Sequence, residues 1–484
     1  MAVQTGKGST IPVMVVIAIW SLSIGINLPG LAVTPIEGDL HSIFHNVSDF
    51  KVQLLTVLPN LVIIPFVLLS GRLSMTPHKI PVIAAGVIIY VISGIVYLFS
   101  KSLDALIWIS CLLGAGCGLM LPFTTGLVAD VFAGQYKLRQ MGYVSAVGNI
   151  SLVVATFVVG FLANVNWHLP FLVYVLPVIS LILLPWFNKI PKSDMDLDED
   201  GNPVQQKTAS PAKTTTPAKA TTPTVTATPS ATPSATASAT TQATTASATQ
   251  TTTTAAPATP QPKEPEKPVI PAFDDAGFST KGQKVVGGFF LGRTIWTLLA
   301  YGFFVFVTSV PAYYLPNLHG ITAEKASIIT SAIYFMMFII GISLNGWLKI
   351  FRSCSFIMAG ACLLGGFIMF AFVDQLGWYI VAAALVGLGQ GTAQPIFFDK
   401  ASEICINNDY ATLSMAYLQV ANYVAIAIVP VIISFFAWIF GVKDPDAITH
   451  FPFILNMIFM AIVFVFIIIR VKHFTFGVHK QYYQ

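Results

Sequence analysis

The feature that most constrains this chain is a succession of twelve apolar runs, each close to the length that crosses a bilayer. A hydrocarbon core about 30 Å thick takes roughly 20 helical residues. The first half holds runs at about 11–33, 53–70, 81–100, 105–128, 141–164 and 169–187, and the second at about 288–315, 325–347, 354–373, 377–398, 411–440 and 451–470. Backbone groups surrounded by lipid must bond within their own segment, so the runs are expected to be helices. Barrel strands would alternate apolar and polar residues over short segments, and these runs do not. Only 10% of the 484 residues are charged, whereas 55% are hydrophobic. A soluble chain carries about 25% charged residues, so this one lacks the charge to cover a water-facing surface.

The net charge of +4 comes without a Lys/Arg stripe, which excludes nucleic acid as a partner. Cys111, Cys117, Cys354, Cys362 and Cys405 lie in or beside apolar runs and form no CxxC pair. They read as small buried hydrophobes, not as a zinc site or disulfide framework. The first run is too long for a signal core and has no small-residue cleavage site after it, so it reads as the first span.

Lys7, Arg72, Lys79, Lys137, Arg139, Lys189, Lys192, Lys349, Arg352, Lys400, Arg470 and Lys472 collect on one side of the spans; Lys51, Lys101, Lys325 and Lys443 fall on the other. The positive-inside rule puts the first set, and both termini, in the cytoplasm of a cell whose plasma membrane the chain crosses. Between the halves lies a tract that begins acidic and turns to Thr, Ala, Pro and Ser. It has too little apolar surface to offset its ordering entropy and is expected to be a disordered cytoplasmic linker. Asp196, Asp198, Asp200 and Gly201 open like a calcium loop, but Lys207 stands where a bidentate Glu is needed and Pro203 interrupts it. No metal site is expected there.

The halves repeat. Gly114, Gly116, Gly118, Pro122, Asp130 and Asn149 recur at a constant offset of 273 as Gly387, Gly389, Gly391, Pro395, Glu403 and Asn422. Glycines inside apolar helices let neighbouring helices approach closely; a dinucleotide loop would need a strand before them. Six spans restore the starting side, so the copies are parallel. The expected fold class is an all-α membrane protein with twelve transmembrane helices in two parallel six-helix repeats. The expected domains are a six-helix bundle over 1–188, the linker over 189–283, a second six-helix bundle over 284–473 and a cytoplasmic tail over 474–484.

On these residues the chain resembles the major facilitator superfamily over nearly all its length except the central tract. The stretch Leu112–Phe132 looks like that family's fourth span, Gly71-Arg72-Leu73-Ser74 like the start of its signature loop, and Asn166-Trp167-His168-Leu169-Pro170-Phe171 like its entry to span six. The chain also departs from the family. Met75, Thr76 and His78 stand where the loop signature carries an Asp, a basic residue and a Gly, although Lys79 keeps one basic position. Ser110 takes the place of an Arg linked to proton coupling, and Ala155-Thr156 that of an antiporter Gly-Pro kink.

Ionisable residues are essentially absent from the span centres. Charges in lipid are costly and usually functional, so their absence argues against a proton relay, a strongly charged substrate and a membrane enzyme. No catalytic residue and no cofactor is expected. Neutral polar residues at depth are the candidates for a substrate cavity: Asn27, Asn60, Asn149, Tyr334, Gln390, Gln394 and Asn422. Gln390 and Gln394 lie one turn apart on one helix face, offering donors and acceptors together. Tyr313 and Tyr314 are either an interfacial anchor or an outer gate. Near the inner face, Asp130 is placed to pair with Arg72, and Glu403 with Lys349 or Arg352. The resemblance implies that such pairs latch the halves in an outward-open state; as plain solvated pairs they would be worth little.

The expected function is secondary transport of a small organic solute by alternating access, with export of a drug-like or metabolite compound first and nutrient uptake second. A non-transporting receptor or scaffold is the reading of another class. The expected partners are the small-molecule substrate, the lipid bilayer and a coupling proton or cation, with the chain a monomer.

Overall fold

The computed structural model describes residues 2–7, 9–26, 28–29, 33, 49–76, 79–163, 165–189, 283–315, 323–406, 410–442 and 450–483. Asn27, a candidate from the sequence, lies outside them, as does nearly all of the 189–283 linker. The chain divides into two units. Every helix described below belongs to the first, Met1–Ser193 with Ile270–Gln484; the second, Asp194–Val269, lies outside the described residues.

The first half contains α1 (Val13–Ser21, continued by the 3-10 turn Leu22–Gly25), α2 (Asp49–Leu73), α3 (Lys79–Phe99), α4 (Leu103–Val131) and α5 (Gly134–Ala163). Its sixth span, α6, is broken into a 3-10 turn, Leu169–Val175, and two short helices, Val178–Ile182 and Leu184–Phe187. The sequence implies one continuous span over 169–187. Pro170, Pro177 and Pro185 each lack the N–H that would continue an α-helix, which accounts for the breaks. The second half holds α7 (Leu291–Tyr314), α8 (Ala323–Phe351), α9 (Ser355–Phe372), α10 (Leu376–Ser402), α11 (Ala411–Ile439) and α12 (Phe451–Arg470).

Eight helical stretches among the described residues are long and apolar enough to cross a membrane, and Val13–Gly25, Val57–Leu73 and Leu169–Ile182 are shorter apolar ones. One of the eight, Lys325–Phe372, is 48 residues long and contains both α8 and α9. The chain bends between them at Arg352, whose φ of 48° takes it out of helical geometry. Counting that stretch twice gives the twelve spans of the sequence reading. Side chains on the outer surface fit a lipid surround: Trp438 is 77% exposed and Phe99 76%. Water would penalise such rings at about 25 cal/mol per Å² of apolar surface, and hydrocarbon does not.

Packing follows the repeat. A methyl added to Gly114 would stand 2.5 Å from the Pro59 carbonyl oxygen of α2, and one on Gly116 2.6 Å from the Tyr90 nitrogen of α3. In the second half Gly387 meets the Ile333 carbonyl of α8 in the same way, and a methyl on Gly389 would stand 2.6 Å from the Ala359 oxygen of α9. Hence α4 and α10 each lie against the backbones of two neighbours, which only glycine permits. The halves meet where α2 lies on α11, with Gly71 against Ala416 and Leu413, and where α5 crosses α8 at Gly142 and Gly341.

Both termini pack at one end of the bundle, here called the base. The hairpin of β1 (Ala2–Gln4) and β2 (Thr10–Pro12) precedes α1, and its turn carries Lys7, whose Nζ donates to the Asp130 carbonyl at the end of α4. The segment after α12, expected as a tail, is packed into the base: Phe474, Phe476, Val478, His479 and Tyr482 are all buried.

Candidate functional site

Between the halves lies a cavity of about 330 Å³. It is bounded by Ile26 and Pro29 beyond α1 and by α2 and α5 on one side, and by α7, α8, α10 and α11 on the other. Asn60, Asn149, Tyr334, Gln390, Gln394 and Asn422 all line it, which brings together every described cavity candidate from the sequence. Each reaches the interior because its helix turns an otherwise apolar lipid-facing stripe outward. Tyr313 joins the lining; Tyr314, one residue on, is buried at 5% exposure away from it. Thr308, Ser309, Thr330 and Tyr423 add further hydroxyls that sequence reasoning did not single out. A signal for the threonines and serine exists in the helical period, since Thr308 and Ser309 lie one turn or so from Val305 and Ala312 of the same face.

Towards the base the cavity continues into a chamber of about 60 Å³, with Asn149, Gln394, Asn422, Tyr423 and Ile26 common to both. Its walls carry Ser23, Thr124, Thr125, Ser145 and Gln419. The Asn149 amide is held from its own helix, donating to the Ser145 carbonyl at 2.8 Å. Tyr301 donates to Asn422 Oδ1 at 3.4 Å. Gln394 Oε1 and Thr125 Oγ1 are buried with no hydrogen-bond partner. A carboxamide oxygen accepts and a hydroxyl both donates and accepts, so the two groups give this space mixed hydrogen-bonding capacity. Among the described residues no Asp, Glu, Lys, Arg or His lines either space. The walls therefore offer neutral hydrogen bonds and apolar contact. Ser110 is buried and donates back to the Ile107 carbonyl at 2.7 Å.

Charge is concentrated at the base instead, and the pairings there differ from those expected. Asp130 pairs with Lys79 at 2.7 Å, not with Arg72, which is exposed. Glu403 pairs with Lys137 at 3.2 Å and with His479 Nε2 at 2.7 Å, not with Lys349 or Arg352. Both of those basic residues are exposed at the bend after α8, where water solvates them better than a buried carboxylate would. Lys137 of α5 also reaches Asp399 at 2.9 Å and the Ser402 hydroxyl at 2.8 Å, so one ammonium ties the first half to α10 of the second. Thr412 at the start of α11 adds a second bridge, donating to Asp130 Oδ2 at 3.5 Å.

Burial by itself would raise the Glu403 pKa. The Lys137 ammonium and then His479 outweigh it and hold the carboxyl well below the usual carboxylate range. Asp399, Glu403 and His479 have donor atoms within 4.8 Å of one another, the spacing of a metal site. The Lys137 ammonium already supplies a positive charge to both carboxylates, so the group is complete as an ion-pair cluster. Lys137, Asp399, His479 and Tyr482 were not among the candidates. The repeat could not reveal the first two, since Tyr410 and Gly126 stand at the matched positions.

Comparison with known proteins agrees with this architecture. The chain is 29% identical over 114 residues to the quinolone resistance protein NorA of Staphylococcus aureus (strain MRSA252), a match covering 24% of this chain and 29% of that one. The chain thus spans under a third of the curated relatives it matches. Its fold is similar to that of the proton:xylose symporter XylE, with a TM-score of 0.64 and 11% identity over 97% of this chain and 98% of that one. It is also similar to the human organic anion transporter MFSD10, with a TM-score of 0.59 and 12% identity over 92% and 99% of the two chains. At such identities the likeness speaks for the fold alone. A family model, the Major Facilitator Superfamily, matches residues 13–430, nearly the whole chain, and this protein belongs to that family.

Proposed function

We propose that this transporter moves a small uncharged organic solute across the plasma membrane by alternating access, in the direction of export. One observation carries the reading: a cavity of about 330 Å³ between the halves, rich in amides and hydroxyls and lined, among the described residues, by no Asp, Glu, Lys, Arg or His. Its volume lies at the lower end of the range for small-molecule pockets. A charged substrate would lose its hydration there without gaining a counter-charge, at a cost of several kcal/mol. A neutral one exchanges water for Gln390, Gln394, Asn149 and Asn422 at little cost. The positive-inside count makes the base the cytoplasmic face, and the Lys137 bridge closes that face while the cavity reaches Tyr313 at the opposite end. The cycle then requires the base to part while the Tyr313 end closes. The similarity to NorA supports export.

Uptake of a small neutral nutrient or metabolite is the second reading. The paired amides of Gln390 and Gln394 favour it, because they suit a hydroxylated solute better than an apolar drug.

Thermal-shift screening of the purified protein against neutral, cationic and anionic compounds tests the substrate class, since any binder of the folded state stabilises it. Neutral hits whose shift is reduced by Gln394→Leu are expected; hits confined to charged compounds would overturn the reading. Flux of a hit in right-side-out and inverted vesicles then decides the direction.

A further inference from the structure

The segment that follows α12 is the part of the base that the repeat does not account for. Its apolar residues anchor it. Phe476 packs edge-on against Phe356 at 5.7 Å and Phe466 at 5.9 Å, and the Arg293 guanidinium lies 4.3 Å from the Phe474 ring centre. This anchoring seats His479 and the 3-10 turn Lys480–Tyr482 over the charged cluster.

The two carboxylates there divide their oxygens in the same way. Asp399 gives Oδ1 to Lys137 at 2.9 Å and accepts the Tyr482 hydroxyl on Oδ2 at 2.6 Å. Glu403 gives Oε1 to Lys137 at 3.2 Å and Oε2 to His479 Nε2 at 2.7 Å. The Lys400 ammonium lies 3.2 Å from the same ring nitrogen, so His479 Nε2 is set between a lysine and a carboxylate of the second half. Each acid is therefore held by one bond to the opposite half and one to the C-terminal segment. Tyr482, 1% exposed, also lines a narrow cleft with Leu138 and Arg139 of α5 and with Leu344 and Leu348 of α8. Because α5 belongs to the first half and α8 to the second, the ring stands in the seam that must open.

We propose that the C-terminal segment is a clasp on the basal gate, with Tyr482 and His479 as positioning residues that orient Asp399 and Glu403 towards Lys137 and wedge the seam. The base then opens only when this segment lifts from it. A carboxylate fixed through its second oxygen loses less entropy on meeting the lysine, so removing the clasp weakens the bridge without touching the bridging groups. The segment also shields the cluster from water, which strengthens every charge interaction within it. The inference rests on the alternating-access reading and assigns its control.

The test places spin labels at Met75→Cys and Ile350→Cys, exposed basal positions in opposite halves, in the full chain with its native cysteines replaced, held in lipid nanodiscs. Distance distributions are compared for the parent, Tyr482→Ala, Tyr482→Phe, His479→Ala and a chain ending at residue 473. Tyr482→Ala and the shortened chain are expected to raise the open-base population at least threefold. Tyr482→Phe, which keeps the ring and loses the bond to Asp399, should fall between them and the parent. Lys137→Met serves as the reference that breaks the bridge itself. If Lys137→Met opens the base while the Tyr482 and His479 variants keep the parent distribution, the clasp is overturned and alternating access stands. If no variant opens the base, both fall. Should the shortened chain fail to fold, the single substitutions decide.

Discussion

The two basal acids, Asp130 and Glu403, occupy matched positions of the repeat, yet they stand in different surroundings. Asp130 bonds to Lys79 of its own half, a lysine whose side chain is 27% exposed, and reaches the other half through a hydroxyl. Glu403 is enclosed with Asp399, His479 and a lysine from the opposite half. Where the second half has Asp399 the first has Gly126, and a methyl there would stand 2.6 Å from the Thr412 hydroxyl oxygen. One seam is closed by charge and the other by close packing. The repeat has kept what each copy needs for its own fold, the glycines beneath α2, α3, α8 and α9, and has let the partners across the seam diverge. A gate held mainly on one side can be regulated there, which is where the C-terminal segment sits.

Substitutions that treat the halves alike break or sharpen this contrast. The largest effect is expected at Lys137: replacing it by Met removes the ammonium shared by buried Asp399 and part-buried Glu403 and should cost about 3 kcal/mol, read as a lowered midpoint of unfolding and loss of flux. Acid should partly reverse this. The ammonium that holds Glu403 low is gone in the variant, so protonating that carboxyl costs the variant less than the parent and the deficit narrows as pH falls. In the parent, Glu403 is held low, its contribution is fully present above the ordinary carboxylate pKa, and it is lost only in strong acid. A stability deficit of Lys137→Met that ignores pH would sink the charge-closed seam.

Gly114→Val and Gly387→Val probe the shared feature. Both push a side chain into a neighbouring backbone, and overpacking of this kind costs about 1–3 kcal/mol. Equal losses of folded protein on size-exclusion chromatography are expected; a marked difference would mean the packing repeat is less regular than it looks. Gln394→Leu should weaken substrate binding roughly tenfold, the value of one to two hydrogen bonds, with unfolding little changed. The smallest effects belong to the first half's base. Asp130→Asn should cost about 1 kcal/mol or less, as expected for a partly exposed pair, and Arg72→Gln should change neither stability nor flux measurably. If Asp130→Asn instead matched Lys137→Met in the spin-label distances, the two seams would be equivalent after all.

Much of this molecule is legible in the order of its residues. The twelve spans follow from apolar run length, because the lipid requirement acts on each segment by itself. The parallel repeat follows from a constant offset of glycines, a proline, an acid and an amide. Asn60, Asn149, Tyr334, Gln390, Gln394 and Asn422 were identifiable as cavity residues because polar groups in an apolar span need somewhere wet or bonded to go. Tertiary structure alone decided who pairs with whom. Lys137 and Asp399 are separated by most of the chain, have no counterparts in the repeat, and meet only because α5 and α10 are rotated to face one another. The expected partners Arg72, Lys349 and Arg352 are nearer in sequence but turned to water. The docking of Phe474–Tyr482 was equally hidden, since a short segment with three aromatic rings and a histidine does not name its receptor. Local solvent preference is written residue by residue, whereas an ion pair across a seam depends on the relative rotation of helices that no single stretch encodes.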